Sequence, residues 1–427
     1  HFGLRLPWFA VPCAAGSMMF RTLATRSPQV ARMRVPKAPI VSCAASTRTI
    51  AAHSCHTADT CRLPIAKVGF PAMHTHKNTR PFSAVAAEGN KFLRVLSSGK
   101  PIVCAKGYLF ELEKRGYAKI LPFVPEVSLS HPEVVKQLHR EFVCAGSDIV
   151  QALTWYASRR QLRLMGKEDR LEALNRAALQ HAREVAEETG TILAGTVCKT
   201  TVYNPSDPET WEEVRLMFRE QIRWAAEEGA EFIIGENFNH HGEAVIALEE
   251  IKLSGLPAVI TFTLSNRGDQ FLLRDGVHIV DAFEQLHDKG AKIVGLNCHR
   301  GLETIVPPLQ ALRDAGCDFP LAALPAASQS TGEKPTTQEL SAPGKPDHDC
   351  HTATRYDFEA FGKECRRLGI QYVGTCCRTA VHHVHALAMA VGRAPEAGAL
   401  VPDITKHFVY GEDAGYLQGS FLSGAGN

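Results

Sequence analysis

From residue 92 onward the chain repeats one pattern: a short apolar run, then a longer stretch whose apolar residues recur at spacings of three and four. An uninterrupted apolar run reads as a strand buried on both faces, and the stretch after it as a helix laying one stripe on a core. The candidate strands are Pro101–Cys104, Ile149–Leu153, Thr191–Val197, Phe232–Glu236, Ala258–Thr263, Lys292–Asn297, Pro320–Ala323 and Gln371–Gly374. Helical periodicity fills the intervals, for example over Leu171–Glu188, Glu209–Glu228, Glu243–Leu253 and Phe358–Leu368. Eight such units in roughly 300 residues predict an α/β fold, a closed (β/α)8 TIM barrel. The barrel is expected to span residues 88–395.

A barrel of this kind carries its chemistry at the strand ends that feed the βα loops. Strand one ends at Cys104-Ala-Lys-Gly107, strand two at Gln151-Ala-Leu-Thr-Trp-Tyr156, strand four at Gly235-Glu236-Asn-Phe, strand six at Asn297-Cys298-His299 and strand eight at Cys376-Cys377. Strands six and eight flank strand seven, so Cys298, Cys376 and Cys377 are expected to converge. Three sulfurs are a typical coordination set for a catalytic zinc with one open position. Three buried structural cysteines, or a vicinal disulfide between Cys376 and Cys377, are the alternatives that the residues leave open. Glu236 closes an apolar strand and therefore needs a partner, either a substrate cation or a salt bridge at the barrel rim.

Charge separates the N-terminal part from the rest. Residues 1–87 hold eleven Lys and Arg against one acid, Asp59, leaving 36 bases and 44 acids beyond. An Arg-, Ser- and Ala-rich leader nearly free of acids, as around Met18-Met19-Phe-Arg-Thr-Leu-Ala-Thr-Arg-Ser-Pro, has the composition of an organelle transit peptide. Mitochondrial import of the chain is therefore expected. A disordered basic extension on a cytoplasmic protein is the alternative. Nucleic acid is not an expected partner, because the basic residues are not interleaved with aromatics and the remaining domain is acidic. No run is long enough in uninterrupted apolar residues for a membrane span. Of thirteen cysteines, Cys13, Cys43, Cys55 and Cys61 lie in the leader, leaving an odd nine. That count argues for reduced thiols over a secreted disulfide framework.

Particular strings sharpen the reading. Leu-Glu-Lys-Arg-Gly-Tyr117, His131-Pro-Glu-Val-Val-Lys-Gln-Leu-His-Arg-Glu-Phe142, Ala-Gly-Ser147, Tyr-Ala-Ser158, Gly-Leu-Asn-Cys298-His and Gly-Thr-Cys376-Cys377 occur in one frame. With them the chain resembles the betaine–homocysteine S-methyltransferases of the zinc-dependent homocysteine methyltransferase family, over roughly residues 92–395. The resemblance implies one zinc ion (Zn2+) on Cys298, Cys376 and Cys377, with the sulfur of homocysteine in the fourth position. It also implies methyl transfer from betaine, giving methionine and dimethylglycine; S-methylmethionine or S-adenosylmethionine are the rival donors. A zinc-binding barrel without turnover is the reading from another class. By the same resemblance Glu236 binds the amino group of homocysteine, Tyr156 and Phe123 line the donor pocket, and Gly107 belongs to the substrate site. Phe123 stands where the family has tryptophan, the better ring for holding an onium cation, and Trp155 offers a substitute.

The departures from the family are specific. Where relatives have Asp-Gly-Gly after strand one, this chain has Ala105-Lys106-Gly107, and Gly-Gly-Cys-Cys-Gly has become Gly374-Thr375-Cys376-Cys377-Arg378. Losing the acid removes a charge-assisted hydrogen bond to the amine and places a cation near it, at a cost of ~1.5–3 kcal/mol or more. The glycines lost would permit close approach or unusual backbone angles. Residues 326–352, rich in Ser, Thr, Pro, Gly and Lys, read as a flexible loop over the site. The 396–427 tail is short where relatives of the betaine type carry a dimerisation arm, so a homo-oligomer is expected only through the barrel side. His240 and His299 are read as groups able to orient ligands, and His382, His383 and His385 as solvated or internally satisfied.

Overall fold

In the computed structural model, residues 89–119, 124–264, 270–340, 351–393 and 395 are described. The basic leader, the tail and Phe123 lie outside these residues. Eight parallel strands, β1 (Ile102–Cys104), β2 (Ile149–Gln151), β3 (Ile192–Cys198), β4 (Phe232–Phe238), β5 (Ala258–Phe262), β6 (Ile293–Asn297), β7 (Leu321–Leu324) and β8 (Tyr372–Gly374), form a closed barrel in sequence order. Closure is made by β8 on β1, with Ile102 opposite Tyr372 and Cys104 opposite Gly374. The eight expected strands are all present, with shifted ends. β2 stops at Gln151 because the chain turns there, the Thr154 N–H donating back to the Ala152 carbonyl at 2.9 Å. β4 runs two residues past Glu236. Among the described residues no helix is long and apolar enough to cross a membrane.

Strand alternation divides the apolar side chains between two cores. Ile102, Ile149, Ile192, Phe232, Ile234, Val259, Ile293, Leu324 and Tyr372 point into the barrel and pack together. Their neighbours Val103, Val150, Leu193, Ile233, Ile260, Val294 and Val373 join the larger core shared with the outer helices. Those helices form for the reasons their sequences state. Leu171–Thr189 buries Leu174, Ala178, Ala182 and Val185 on one stripe, and stops at Gly190, whose φ of 66° suits a left-handed cap. Asp207 caps Pro208–Glu227 by accepting from the Glu209 N–H, and Thr354 and Asp357 form a reciprocal capping box on Arg355–Arg367.

The floor of the barrel is closed by a short helix, Lys91–Ser97, which Asn90 caps. It inserts Phe92, fully buried, against the inward-facing residues of the strands, its ring stacked on Phe232 at 3.9 Å between centroids. Polar chemistry is thereby confined to the opposite end. Phe92→Ala is expected to destabilise the barrel by ~3–5 kcal/mol, as for a buried aromatic whose site cannot collapse. The shift in the urea midpoint measures it; a change below ~1 kcal/mol would mean that the floor does not depend on this ring.

Candidate active site

The three thiols predicted at the strand tips do meet. Beyond β6 the backbone turns through two successive left-handed residues, Cys298 (φ 56°) and His299 (φ 55°), while the Cys298 N–H still donates to the Leu324 carbonyl of β7 at 2.9 Å. Beyond β8, Thr379 Oγ1 donates to the Cys376 carbonyl at 2.7 Å, and the Cys377 carbonyl accepts from the Ala327 N–H at 2.9 Å. These bonds hold both loops to the β7 tip between them. Cys298 Sγ lies 3.2 Å from Cys377 Sγ, and the three sulfurs lie within 4.8 Å of one another. All three are free thiols, so the vicinal disulfide is not formed.

The electrostatics of this cluster call for a cation. The Cys298 thiol is pushed well below its ordinary value because Cys376 and Cys377 donate hydrogen bonds to its sulfur. The same negative sulfur, together with burial, pushes Cys376 and Cys377 well above theirs. One thiolate is tolerated and three are not, unless a metal compensates them. A tetrahedral zinc with Zn–S bonds near 2.3 Å sets its sulfurs about 3.8 Å apart. The observed separations, from 3.2 Å to under 4.8 Å, bracket that edge. The donor set thus fits a soft, four-coordinate ion with one position open, held by Cys298, Cys376 and Cys377.

Glu236 sits beside the sulfurs on β4. The register of β4 against β5 shifts between Gly235 and Phe238, with Asn237 left-handed at φ 62°. This bulge leaves Glu236 inside the barrel and turns Phe238 to the outer core, edge-on to Phe218. The Glu236 carboxylate receives three donors: Gln151 Nε2 on Oε1 at 2.9 Å, and Lys106 Nζ at 2.5 Å and Asn297 Nδ2 at 3.5 Å on Oε2. Asn297 Nδ2 also reaches Cys376 Sγ at 3.9 Å, joining the carboxylate to the thiol cluster. Lys106 and Glu236 are each 3% exposed. Burial pulls the Lys106 ammonium down, but the Glu236 carboxylate and the Cys376 and Cys104 sulfurs together outweigh it and the net shift is upward. The Lys106 N–H donates to Thr375 Oγ1 at 3.0 Å, fixing this loop to the one that carries Cys376.

A cleft opens above this pair, lined among others by Gly107, Trp155, Asn237, Cys376 and Cys377. Trp155 and Tyr156 stack at 4.0 Å between centroids. Tyr156, at φ 57°, is half-buried, and burial raises its hydroxyl. Of the residues expected at the site, Glu236, Gly107, Cys376 and Cys377 line this cleft and Cys298 joins it through the sulfur cluster, whereas Tyr156 is not in its lining and meets it through the stacked Trp155. Among the described residues no histidine joins the metal-ligating cluster. His383 is buried and caps its own helix, accepting from the Ala380 N–H at 3.1 Å. The expected flexible loop is tied down at both ends, Ser328 bridging to Thr352 and Arg300 to Thr336; residues 341–350 lie outside those described. Gln151 and Asn297 were not picked out as partners of Glu236. The signal was present, since each is a polar residue closing an apolar strand on the inward parity.

The family model for homocysteine S-methyltransferase matches residues 107–391. The chain belongs to the homocysteine S-methyltransferase family. It is 36% identical to betaine–homocysteine S-methyltransferase 1 of Bos taurus over 328 residues, 75% of this chain and 78% of that protein. To the S-methylmethionine–homocysteine S-methyltransferase BHMT2 of Rattus norvegicus it is 34% identical over 328 residues, 75% of this chain and 85% of that protein. The metallated form of the homocysteine methyltransferase MmuM of Escherichia coli shares the fold at TM-score 0.56 and 19% identity, over 69% of this chain and 98% of that one. This homocysteine S-methyltransferase is an enzyme of that type, and its strand tips hold the cluster described above.

Gly107 connects the two halves of the site. At φ 97° it is left-handed, and a Cβ there would run into the Cys376 carbonyl. Gly107→Ala is therefore expected to displace the Cys376 loop and to destabilise the fold by ~1–3 kcal/mol through backbone strain alone. Urea denaturation reads the loss; an unchanged midpoint would show that the approach is not required.

Proposed function

We propose that this enzyme is zinc-dependent and transfers a methyl group from betaine to homocysteine, giving methionine and dimethylglycine. The observation that carries the reading is the cluster of three thiols at the tips of β6 and β8, with one face open to a cleft that also holds an aromatic platform. When bound there, zinc would supply a fourth position at which an acceptor thiol loses its proton near neutral pH.

The chain's own residues account for the rest. Cys298 and Cys377 are set by backbone bonds to Leu324 and Ala327, and Cys376 by the Thr379 hydroxyl, with Cys376 and Cys377 at the wall of the cleft. Trp155, stacked on Tyr156, offers a ring face to a trimethylammonium group, an interaction of about 0.5–2 kcal/mol depending on desolvation. In the transfer the acceptor sulfur's electron pair forms the new S–CH3 bond, the C–N bond of betaine breaks, and its pair stays on nitrogen. The proton from the acceptor thiol ends on the amine of dimethylglycine.

S-methylmethionine is the second reading for the donor, favoured by the 34% identity to an enzyme that uses it. A sulfonium is held by the same ring face for the same electrostatic reason. Methionine formation from homocysteine with betaine, S-methylmethionine and S-adenosylmethionine, each supplied to the reduced, zinc-loaded protein, ranks the donors. Turnover with betaine above the other two is expected, and no turnover with any donor despite stoichiometric zinc would refute methyl transfer. Cys376→Ala should lose both zinc and activity; retention of a full equivalent of zinc would remove Cys376 from the ligand set. For the leader we propose mitochondrial import, on the strength of its eleven bases and single acid. A fluorescent fusion of residues 18–90 should enter mitochondria, and one that stays cytosolic overturns this.

A further inference from the structure

Among the described residues, the cleft above the thiols is lined by one acid and one base, Glu236 and Lys106, and the two are bonded to each other. Homocysteine is a thiol that carries an ammonium, and a buried ammonium needs an anion. Among the described residues that line the cleft, the only carboxylate is Glu236. Both of its oxygens are already engaged, Oε1 by Gln151 and Oε2 by Lys106 and Asn297. The Lys106 backbone is pinned to Thr375, itself fully buried, and its side chain is almost wholly enclosed, so the ammonium is part of the wall rather than a surface group that has swung in.

We propose that Lys106 is a built-in counter-ion standing in for the ammonium of the acceptor, so that this enzyme methylates thiols lacking an α-ammonium about as well as it methylates homocysteine. The proposal rests on the methyl-transfer reading above and names the acceptor class of the same site. An acceptor with hydrogen in place of the ammonium leaves the Lys106–Glu236 pair intact. Homocysteine must either expel Lys106 or place its ammonium beside a carboxylate whose charge Lys106 already offsets. The chemistry is otherwise unchanged: the S–CH3 bond forms; with betaine the C–N bond breaks with its pair kept on nitrogen and the thiol proton ends on dimethylglycine, and with S-methylmethionine the C–S bond breaks with its pair kept on sulfur and the thiol proton goes to solvent.

The probe is 4-mercaptobutyrate, which differs from homocysteine by that ammonium alone. With the zinc-loaded full chain and betaine or S-methylmethionine as donor, kcat/KM for the two acceptors is expected to agree within about tenfold. Calorimetric Kd values should agree within the same factor, since one charge-assisted hydrogen bond is worth about tenfold or more. Lys106→Gly frees Glu236 and should raise the preference for homocysteine by about tenfold, in KM and Kd more than in kcat. A wild-type preference for homocysteine beyond that range, or a preference unmoved in a folded K106G protein, overturns the proposal while leaving methyl transfer to homocysteine standing. Absence of methyl transfer to either thiol overturns the earlier reading instead, and the wild-type ratio of Kd values then decides the acceptor class by itself. That ratio needs no variant, so the test survives if K106G fails to fold.

Discussion

Closure of β8 onto β1 is the constraint on which the site depends. The pairing of Cys104 with Gly374 brings the loop after β1 against the loop after β8. There Gly107 lies under the Cys376 carbonyl, and the Lys106 N–H is bonded to Thr375. Two of the three clustered sulfurs and the cation facing Glu236 are therefore set by one seam. The third sulfur, on Cys298, is set independently through its backbone bond to Leu324, so β7 acts as a spacer between two anchored loops. A barrel fixes such distances well because every strand is paired on both sides and no edge is free to slide.

The buried pair of Lys106 and Glu236 is a poor explanation for stability and a better one for selectivity. Removing two charges from water costs several kcal/mol each, and the attraction between them returns that only with good geometry and further hydrogen bonds. Here the carboxylate has those bonds, from Gln151 and Asn297. Breaking one side of such a pair leaves an uncompensated charge, which is worth ~3–5 kcal/mol. On the acceptor reading proposed above, a substrate amine that enters must therefore match the lysine it replaces. Ala105, where the resemblance implies an aspartate, bears on the same balance. Ala105 is fully buried and its N–H donates to Ser147 Oγ at 3.0 Å, so the backbone is kept while the charge is gone.

Much of this was legible in the sequence because the strands are apolar on both faces and short. Period and length therefore found them, and sequence order alone placed Cys298 across β7 from Cys376 and Cys377. The strand ends were less legible. β4 passes Glu236 because a bulge at Asn237 changes the parity of the chain, and a left-handed asparagine leaves no mark in an apolar pattern. The ion pair was also out of reach: Lys106 and Glu236 are 130 residues apart. Residue types alone could say that a cation near the amine site would be unfavourable. They could not say that it would be satisfied by Glu236.

The second departure, Arg378 in place of glycine, answers differently. Arg378 adopts φ 64°, the conformation for which a glycine is suited. The chain has kept the backbone and accepted a side chain there, at about 1–2 kcal/mol for a non-glycine residue in the left-handed region. Cys298 and His299 carry the same kind of strain at the other anchored loop. Strain of this sort persists where the surrounding structure determines the turn, and here the backbone bonds to Leu324 and Ala327 determine it. The turns around the sulfurs are thus held by main-chain geometry, while the charge that meets the substrate is held by side chains. The two are therefore set by different parts of the structure.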